Sequence, residues 1–179
     1  SKNTTDINKL AIYGNFLFYE SRKGLDMLIA SLKQINKQSD IIHTNIYIFG
    51  KNSFEFYSQL NDTKINGVQF FVLGMVDSVQ DTLQDLDGVI IPVDETGGLK
   101  IKLLESLSYG LHVVTTKSVA AHLENYKSYK NLQTFSSISN IVENLNSLSI
   151  KNDIDVSSVQ SLPTWDTHRT LIDRLLYEK

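Results

Sequence analysis

Residues 97–116 read GGLKIKLLESLSYGLHVVTT, and the rest of the chain is best understood from this segment. Its middle part predicts an amphipathic helix, because Ile101, Leu104 and Leu107 recur at a spacing typical of one helical face. Gly110 stands where helices end on a left-handed residue, a conformation that glycine adopts without the steric penalty of a Cβ atom. The helix is therefore predicted to stop at this glycine.

The segments on either side of this helix predict two strands. Residues 88–93 (GVIIPV) form an apolar run without polar alternation, as in a strand buried on both faces, and residues 113–116 (VVTT) are all β-branched. Lys102, Glu105 and Tyr109 share a face of the helix next to its apolar side. The segment thus predicts a βαβ unit with charged residues near the helix start, where an anionic ligand binds favourably.

The composition is that of an ordinary globular domain. The chain has 179 residues, of which 41% are hydrophobic and 21% charged, so it is long enough for one domain and short for two. A net charge of −3 without a basic run argues against a nucleic-acid or anionic-membrane surface, so we expect no nucleic-acid partner and at most peripheral membrane association. The absence of cysteine excludes disulfides and thiolate chemistry, and it fits the cytoplasmic location that we expect.

Strand and helix patterns alternate along the whole chain. The alternation predicts an α/β fold of Rossmann type, with a doubly wound, mainly parallel sheet of about six strands and helices on both faces. The other predicted strands are residues 10–16, 45–50, 68–73 and 132–135. The other predicted helices are residues 22–35 with Ser21 as the N-cap, 53–60, 79–86, 120–126 and 138–148. We expect one domain over residues 1–150, followed by a linker and a C-terminal helix over residues 151–179, with Trp165 as a packing anchor.

The first candidate site residues follow the first predicted strand. Ligands of such sheets bind beyond the carboxyl ends of the strands, where Gly14 and Asn15 form a turn and Arg22 and Lys23 open the next helix. A glycine turn lets the backbone approach a phosphate, which cations and helix N–H groups neutralise. The residues by themselves favour the plainer interpretation, a turn followed by two solvated cations.

A second candidate loop, residues 94–98, leads into Lys102 and Glu105. The N–H groups of Gly98 and Leu99 suit a diphosphate, and the Glu105 carboxylate suits the two hydroxyls of a ribose. The alternative is a Gly-Gly turn followed by a surface pair of Lys102 and Glu105. The residues do not decide between these two interpretations.

The remaining candidates are weaker. Residues 115–118 (TTKS) form a small polar loop that either lines a pocket or caps the next helix. The four histidines are scattered without metal-ligand spacing, so we expect no metal site. His112 begins a strand, and we expect it to have a structural role.

Together these elements resemble the C-terminal, nucleotide-sugar-binding domain of retaining glycosyltransferases of GT-B fold (group 1, family 4-like). The resemblance covers nearly the whole chain, and its most specific block is residues 102–115 (KLLESLSYGLHVVT). The weaker matches are Gly14, the Lys23–Gly24 pair, Gly50, residues 72–76 (VLGMV) and residues 87–92 (DGVIIP). The chain is thus similar to one half of a GT-B enzyme.

The resemblance implies a site for the nucleoside diphosphate of a sugar donor. Lys23 would face the diphosphate beside the Gly14–Asn15 turn, with Arg22 in place of an arginine that the family often carries at position 15. Glu105 matches the second glutamate of the family's pair and would hold the ribose. The other expected donor-binding residues are Gly97, Gly98, Leu99, Lys102 and Thr115, with Thr116 beside Thr115.

One position departs from the family pattern. The first glutamate of the pair falls at Gly97, where this chain has no carboxylate. Glu95 lies close by but out of register, and it is the candidate for a catalytic carboxylate.

The resemblance also implies an activity and its partners. We expect a hexosyltransferase-type glycosyltransferase that moves a sugar from a nucleoside diphosphate sugar to a glycan, lipid or protein acceptor, without cofactor or metal. An N-terminal acceptor domain normally precedes this domain, so we expect residues 1–179 to be inactive without it. Two alternatives remain, a non-catalytic partner subunit of glycosyltransferase type and a sugar-nucleotide epimerase of GT-B architecture.

Overall fold

The computed structural model describes residues 4–6, 8–35, 43–94, 101–123 and 125–151. The strands in these ranges are β1 (Thr4–Asp6), β2 (Lys9–Tyr13), β3 (Asn45–Phe49), β4 (Lys64–Ile65), β5 (Val68–Gly74), β6 (Gly88–Ile91), β7 (His112–Thr116), β8 (Leu132–Phe135) and β9 (Ser149–Lys151). The α-helices in the same ranges are α1 (Tyr19–Gln34), α2 (Ser53–Tyr57), α3 (Val79–Gln84), α4 (Ile101–Ser108), α5 (Lys117–Ala120) and α6 (Ile138–Glu143). Short 3-10 helices lie at Ser58–Leu60, Tyr126–Ser128 and Leu145–Ser147.

The main sheet confirms the expected α/β fold of Rossmann type. It has seven strands in the order β4-β5-β3-β2-β6-β7-β8, and all neighbouring pairs are parallel except β4 and β5. Strand β4 was not predicted, because two residues give no periodicity. It pairs antiparallel with β5 across the Asn66–Gly67 turn and forms one edge of the sheet.

The strand order reverses next to β2. The chain moves outward from β2 through β3 to β5, then crosses to the other side of β2 and moves outward from β6 through β7 to β8. Strands β2 and β6 are neighbours, paired through Leu10 with Gly88 and Ala11 with Val89. In open α/β sheets a ligand crevice forms beyond the carboxyl ends of the strands at such a switch point. The topology therefore favours a ligand site between the ends of β2 and β6.

Apolar side chains cover both faces of the sheet. On one face, Leu10 and Ile12 of β2 belong to a buried cluster that includes residues of α1 and α6. On the other face, Ala11 and Tyr13 belong to a cluster that includes residues of α3, α4 and α5. This burial on both faces explains why the central strands lack polar alternation in the sequence.

Helix α4 buries a different stripe from the one expected. Leu103, Leu104 and Leu107 are buried, but Ile101 is 61% exposed, so the prediction that Ile101 shares the buried face was wrong. The predicted helix end was correct, because Gly110 follows α4 with a φ of +72°. This is the left-handed conformation that glycine adopts without strain.

Three predicted boundaries also differ from the structure. The first strand of the main sheet ends at Tyr13 rather than at residue 16. Helix α1 begins at Tyr19, so Ser21 lies inside the helix and is not its N-cap. The helix expected over residues 120–126 is replaced by α5, which ends at Ala120, and by the later 3-10 helix Tyr126–Ser128.

A separate two-stranded antiparallel sheet, formed by β1 and β9, was not predicted. Residues 152–179, with Trp165, lie outside the described residues, so the linker, the last helix and the domain boundary stay predictions. Among the residues that the structure describes, no helix has the length and apolar character needed to cross a membrane.

Candidate functional site

Backbone lines the sheet edge beyond β2, β3 and β5. Gly14 N donates to Phe49 O at 3.1 Å, and Gly50 N donates to Gly74 O at 2.8 Å, so the hydrogen bonding continues past the strand ends. Gly14 and Gly50 have φ angles of 150° and 111°, and a Cβ atom on Gly50 would overlap the carbonyl oxygen of Gly14. Only glycine fits there. The glycine therefore lets the ends of β2 and β3 pack directly against each other.

The Glu105 carboxylate is hydrogen-bonded to Tyr13, the last residue of β2 and therefore a residue of the switch point. It lies on α4, half-buried, and its Oε2 accepts a hydrogen bond from the Tyr13 hydroxyl at 2.9 Å. Its Oε1 accepts one from the Tyr109 hydroxyl at 3.4 Å. The Tyr13 hydroxyl is also 3.1 Å from Ser106 Oγ. The side chain of Glu105 is thus held from both oxygens.

Both tyrosines are suited to donate to this carboxylate. Burial raises the pKa of Tyr13 above its usual value, and the negative charge of Glu105 raises it further. Burial also raises the pKa of Tyr109, and the negative charge of Glu105 raises it by a smaller amount. A phenol is protonated near neutral pH even at its ordinary pKa of about 10, and the raised pKa values extend this to higher pH, so each hydroxyl is available as a donor.

Lys102 places an ammonium group at the end of β2. Its Nζ donates a hydrogen bond to the Tyr13 carbonyl oxygen and lies 5.2 Å from the centroid of the Tyr13 ring. A Cβ atom on Gly14 would overlap this Nζ, so the ammonium lies directly against the turn. Lys102 and Glu105 therefore both contact Tyr13 and put charges of opposite sign at the switch point.

The cations of α1 have different surroundings. Arg22 Nη1 donates to the carbonyl oxygens of Phe16 and Leu17 at 2.8 and 3.0 Å, and the guanidinium carbon lies 4.6 Å from the centroid of the Phe56 ring. These contacts fix the loop after β2. Lys23 is exposed. Asn15 stabilises the same loop, because its Oδ1 accepts from the Leu17 backbone N–H at 3.0 Å.

Thr115 and Thr116, the last two residues of β7, are buried and hydrogen-bonded to the segment at the end of β6. Thr115 is 0% exposed, and its hydroxyl donates to Ile91 O at 2.9 Å. The Thr116 hydroxyl donates to Val93 O, and the Ser118 hydroxyl donates to Asp94 O. The structure thus gives Thr115 a structural contact that joins β7 to β6, and it lends no support to a donor contact from this side chain.

Four predicted site residues lie outside the described residues, namely Glu95, Gly97, Gly98 and Leu99. Their expected roles stay predictions. His112 is buried, with its Nε2 3.4 Å from Gln133 Oε1, and burial lowers its pKa. Within the described part of the chain, no group of three or more histidine, aspartate or glutamate side chains is placed to hold a metal ion.

Tyr13 was not predicted as a site residue, whereas Tyr109 was correctly grouped with Glu105. The Tyr109 hydroxyl reaches Glu105 because the two residues are one turn apart on the same helical face. Tyr13 lies 92 residues before Glu105 in sequence, at the end of an apolar strand. Its aromatic hydroxyl in an otherwise aliphatic strand was the available signal.

Exposed apolar side chains surround the glycine-lined edge. We call them the carboxyl-edge patch, and its residues are Leu17, Phe18, Tyr19, Phe54 and Met75. They follow three adjacent strands, β2, β3 and β5. Met75, at 72%, is the most exposed of them. Several large exposed apolar side chains at one end of a sheet suggest an interaction site.

Comparisons with known proteins concern the family and the fold of the chain. Residues 8–143 match the sequence model of the family described as "Glycosyl transferases group 1". No curated protein matches significantly. The structure is similar to that of TarM, with 15% identity, a TM-score of 0.58, and coverage of 97% of this chain and 36% of that chain. It is also similar to WaaG, "a glycosyltransferase involved in lipopolysaccharide biosynthesis", with 20% identity, a TM-score of 0.50, and coverage of 79% and 38%. At these identities the likeness shows the fold, and this chain spans only part of the length of either protein.

Proposed function

This chain belongs to the group 1 glycosyl transferases, and from that premise we propose that it is the part of such an enzyme that binds the nucleotide-sugar donor. The reaction moves a sugar, of hexose type, from a nucleoside diphosphate to a glycan, lipid or protein acceptor. The absence of cysteine supports a cytoplasmic location, where thiols stay reduced.

The observation that carries the proposal is the meeting of Lys102 and Glu105 on Tyr13 at the switch point. A ribose offers hydroxyl donors, which a carboxylate accepts, and a diphosphate offers anionic oxygens, which an ammonium group neutralises. We assign the ribose to Glu105 and the diphosphate to Lys102. The two groups lie one turn apart on α4, so one nucleotide reaches both.

The remaining diphosphate contacts are assigned to the ends of two helices. Lys23 is exposed near the start of α1, close in sequence to the Gly14–Asn15 turn. Gly98 and Leu99, with Gly97 before them, precede α4 and would supply backbone N–H groups. These donors would stabilise the charge that grows on the diphosphate as the glycosidic bond breaks, without a metal ion. Glu95 remains the proposed catalytic carboxylate.

An acceptor domain is the proposed partner of the carboxyl-edge patch. The patch lies at the same end of the sheet as Lys102 and Glu105, and it leaves five large apolar side chains exposed. A second domain seated there would cover this surface and close the donor site against water. We therefore expect this chain to bind a nucleotide and to transfer no sugar without that domain.

A non-catalytic partner subunit is the second candidate. Two observations favour it, the glycine at position 97 in place of the family's first glutamate and the exposed apolar patch. Such a subunit would use the patch to bind another protein and would have no need of the charged pair.

The test is nucleotide binding by the wild-type chain. A thermal-shift panel of UDP, GDP, ADP, CMP and TDP, followed by titration calorimetry on each hit, is expected to identify one preferred nucleoside diphosphate. Glu105→Gln and Lys102→Met are each expected to weaken its binding about tenfold or more, since each removes a charge-assisted contact. The control is Glu143→Gln, because Glu143 is exposed on α6 and its Oε2 accepts from Asn140 Nδ2 at 2.8 Å.

Wild-type affinity in both site variants would refute the assignment of Lys102 and Glu105. Absence of binding by any of the five nucleotides at millimolar concentration would refute the donor-binding proposal and favour the partner subunit.

A further inference from the structure

Tyr13 contacts both charged residues of the site. Its hydroxyl donates to Glu105 Oε2 at 2.9 Å, and its carbonyl oxygen accepts from Lys102 Nζ. The residue is buried, and its ring stacks on Phe49 with centroids 5.5 Å apart and an interplanar angle of 12°. Phe49 is the last residue of the neighbouring strand β3 and is itself buried, so the Tyr13 ring packs against the core.

We propose that Tyr13 is the positioning residue of the donor site, which orients Glu105 so that the carboxylate accepts the vicinal hydroxyls of a ribonucleotide. The proposal rests on the donor-binding function above. It adds a selectivity, for ribonucleoside over 2′-deoxyribonucleoside diphosphates.

The selectivity follows from the acceptor capacity of the carboxylate. An ionised carboxylate has about four lone-pair sites, two on each oxygen. The Tyr13 hydroxyl takes one site on Oε2, and the Tyr109 hydroxyl takes one on Oε1. The described residues donate no other hydrogen bond to this carboxylate, so within them one site is left on each oxygen, which matches two adjacent hydroxyl groups. A 2′-deoxyribose fills only one of them and leaves a half-buried acceptor without its partner.

Tyr13 matters more for this orientation than Tyr109 does. The Tyr13 hydroxyl makes the shorter contact, 2.9 Å against 3.4 Å, and belongs to a buried ring fixed by Phe49. Tyr109 is half-buried and directly follows α4, the helix that carries Glu105. Tyr13 also links β2 to α4, so it sets the distance between the Gly14 turn and the carboxylate.

The closing experiment compares matched ribo- and 2′-deoxyribonucleotides. Calorimetry with UDP and 2′-dUDP, GDP and 2′-dGDP, and ADP and 2′-dADP is expected to show that the wild type prefers the ribo form about tenfold or more, as for a lost charged hydrogen bond. Tyr13→Phe is expected to reduce this preference several-fold, and Tyr109→Phe to reduce it less. A loss of affinity that is equal for the ribo and deoxy forms in Tyr13→Phe would overturn the proposal, and so would no change.

Tyr57→Phe is the matched control. Tyr57 is also buried, and its hydroxyl also donates to a carboxylate, Asp26 Oδ1 at 3.0 Å. It lies in the other core cluster, away from Glu105. Removal of the Tyr57 hydroxyl is expected to lower the free energy of unfolding, as Tyr13→Phe does. The ratio of the affinities for ribo- and deoxyribonucleotides is expected to stay at the wild-type value.

A measurement without nucleotide tests the contact between Tyr13 and Glu105 independently of the proposed nucleotide binding. In a double-mutant cycle of Tyr13→Phe and Glu105→Gln, followed by urea unfolding, we expect the unfolding constants to depart from additivity about fivefold or more. Additive effects would overturn the positioning contact whether or not a nucleotide binds. Non-additive effects in a chain that binds no nucleotide would keep the contact and overturn the ribose selectivity together with the donor-binding function.

Discussion

Gly24→Ala is expected to destabilise this protein, although alanine is the better helix former. Gly24 is a buried residue of α1. A Cβ atom there would overlap the carbonyl oxygen of Pro92 and lie 2.9 Å from its carbonyl carbon. Both are backbone atoms of the segment after β6, so they are unable to rotate aside as the tip of a flexible side chain does. Either α1 or that segment has to move.

The magnitude comes from two opposing contributions. Replacing glycine by alanine inside a helix stabilises it by about 1 kcal/mol when nothing touches the new methyl group. Inserting a methyl group into a packed contact costs about 1–3 kcal/mol. The overlap with backbone puts this site at the upper end of that range, so we expect the free energy of unfolding to fall by about 1–2 kcal/mol.

Urea unfolding monitored by circular dichroism measures the change. Ala30→Gly is the matched control, because Ala30 is exposed on the same helix and its replacement tests helix propensity alone, with an expected loss of about 1 kcal/mol. A higher urea midpoint for Gly24→Ala than for the wild type would refute the close contact between α1 and Pro92.

Three further predictions follow from single side chains. Thr115→Val removes a buried hydroxyl whose acceptor, Ile91 O, keeps a bond from Val93 N at 3.0 Å. We expect a loss of about 1 kcal/mol in urea unfolding and unchanged affinity for the proposed nucleotide, whereas a tenfold loss of affinity would support the ligand contact predicted for Thr115. Burial lowers the pKa of His112, so as the pH drops this histidine is protonated in the unfolded chain before it is protonated in the folded one. The free energy of unfolding is therefore expected to fall below about pH 6.5, and to fall less in His112→Asn. Equal pH profiles for the wild type and the variant would contradict this. Burial raises the pKa of Tyr13, so the unfolded chain loses this proton first, and the free energy of unfolding is expected to fall as the pH rises above about 10. Tyr13→Phe should flatten the dependence of the unfolding free energy on pH in this range. An unaltered dependence would count against the prediction.

The strand–helix alternation was predictable because the central strands are buried on both faces. All four residues of β6 are buried, as are all five of β7, so each shows as an apolar or β-branched run. Strand β4 was not predictable in this way. It exists only because the Asn66–Gly67 turn folds two residues back onto β5.

The error at Ile101 has a geometric origin. At about 100° per residue, Ile101 and Leu107 lie about 120° apart around α4, whereas Leu103 and Leu107 lie about 40° apart. A three-residue spacing therefore drifts off the buried face within two steps. The stripe of Leu103, Leu104 and Leu107 was equally present in the sequence, and its four-residue step fits the helix better.

The start of α1 depended on contacts that no local pattern shows. Phe18 occupies the N-cap position without a side-chain cap, and the preceding loop is held by Arg22 and by the bond from Phe16 N to Lys51 O at 2.9 Å. Arg22 was predicted to face a phosphate as a cation of the site. In the structure its Nη1 donates to backbone oxygens that only the folded loop brings within reach, and the phosphate contact stays a prediction.

In the candidate site, too, some contacts follow from local sequence spacing and others only from the folded topology. Lys102, Glu105 and Tyr109 were correctly placed together because all three positions follow from one helical period. The contact of Tyr13 with Glu105 required the pairing of β2 with β6 and the packing of α4 against both. Such a contact across 92 residues belongs to the topology rather than to any segment.

The main chain after β2 and β3 has a thermodynamic consequence for the proposed ligand site. Gly14 and Gly50 follow two adjacent strands, and their N–H groups donate cross-strand hydrogen bonds to Phe49 O and Gly74 O. Main chain without side-chain rotamers has little conformational freedom to lose when a ligand binds to it. For the nucleotide proposed to bind here, the entropy of association is expected to come mainly from the nucleotide and from released water, so a more rigid analogue should gain affinity where a stiffer protein would not.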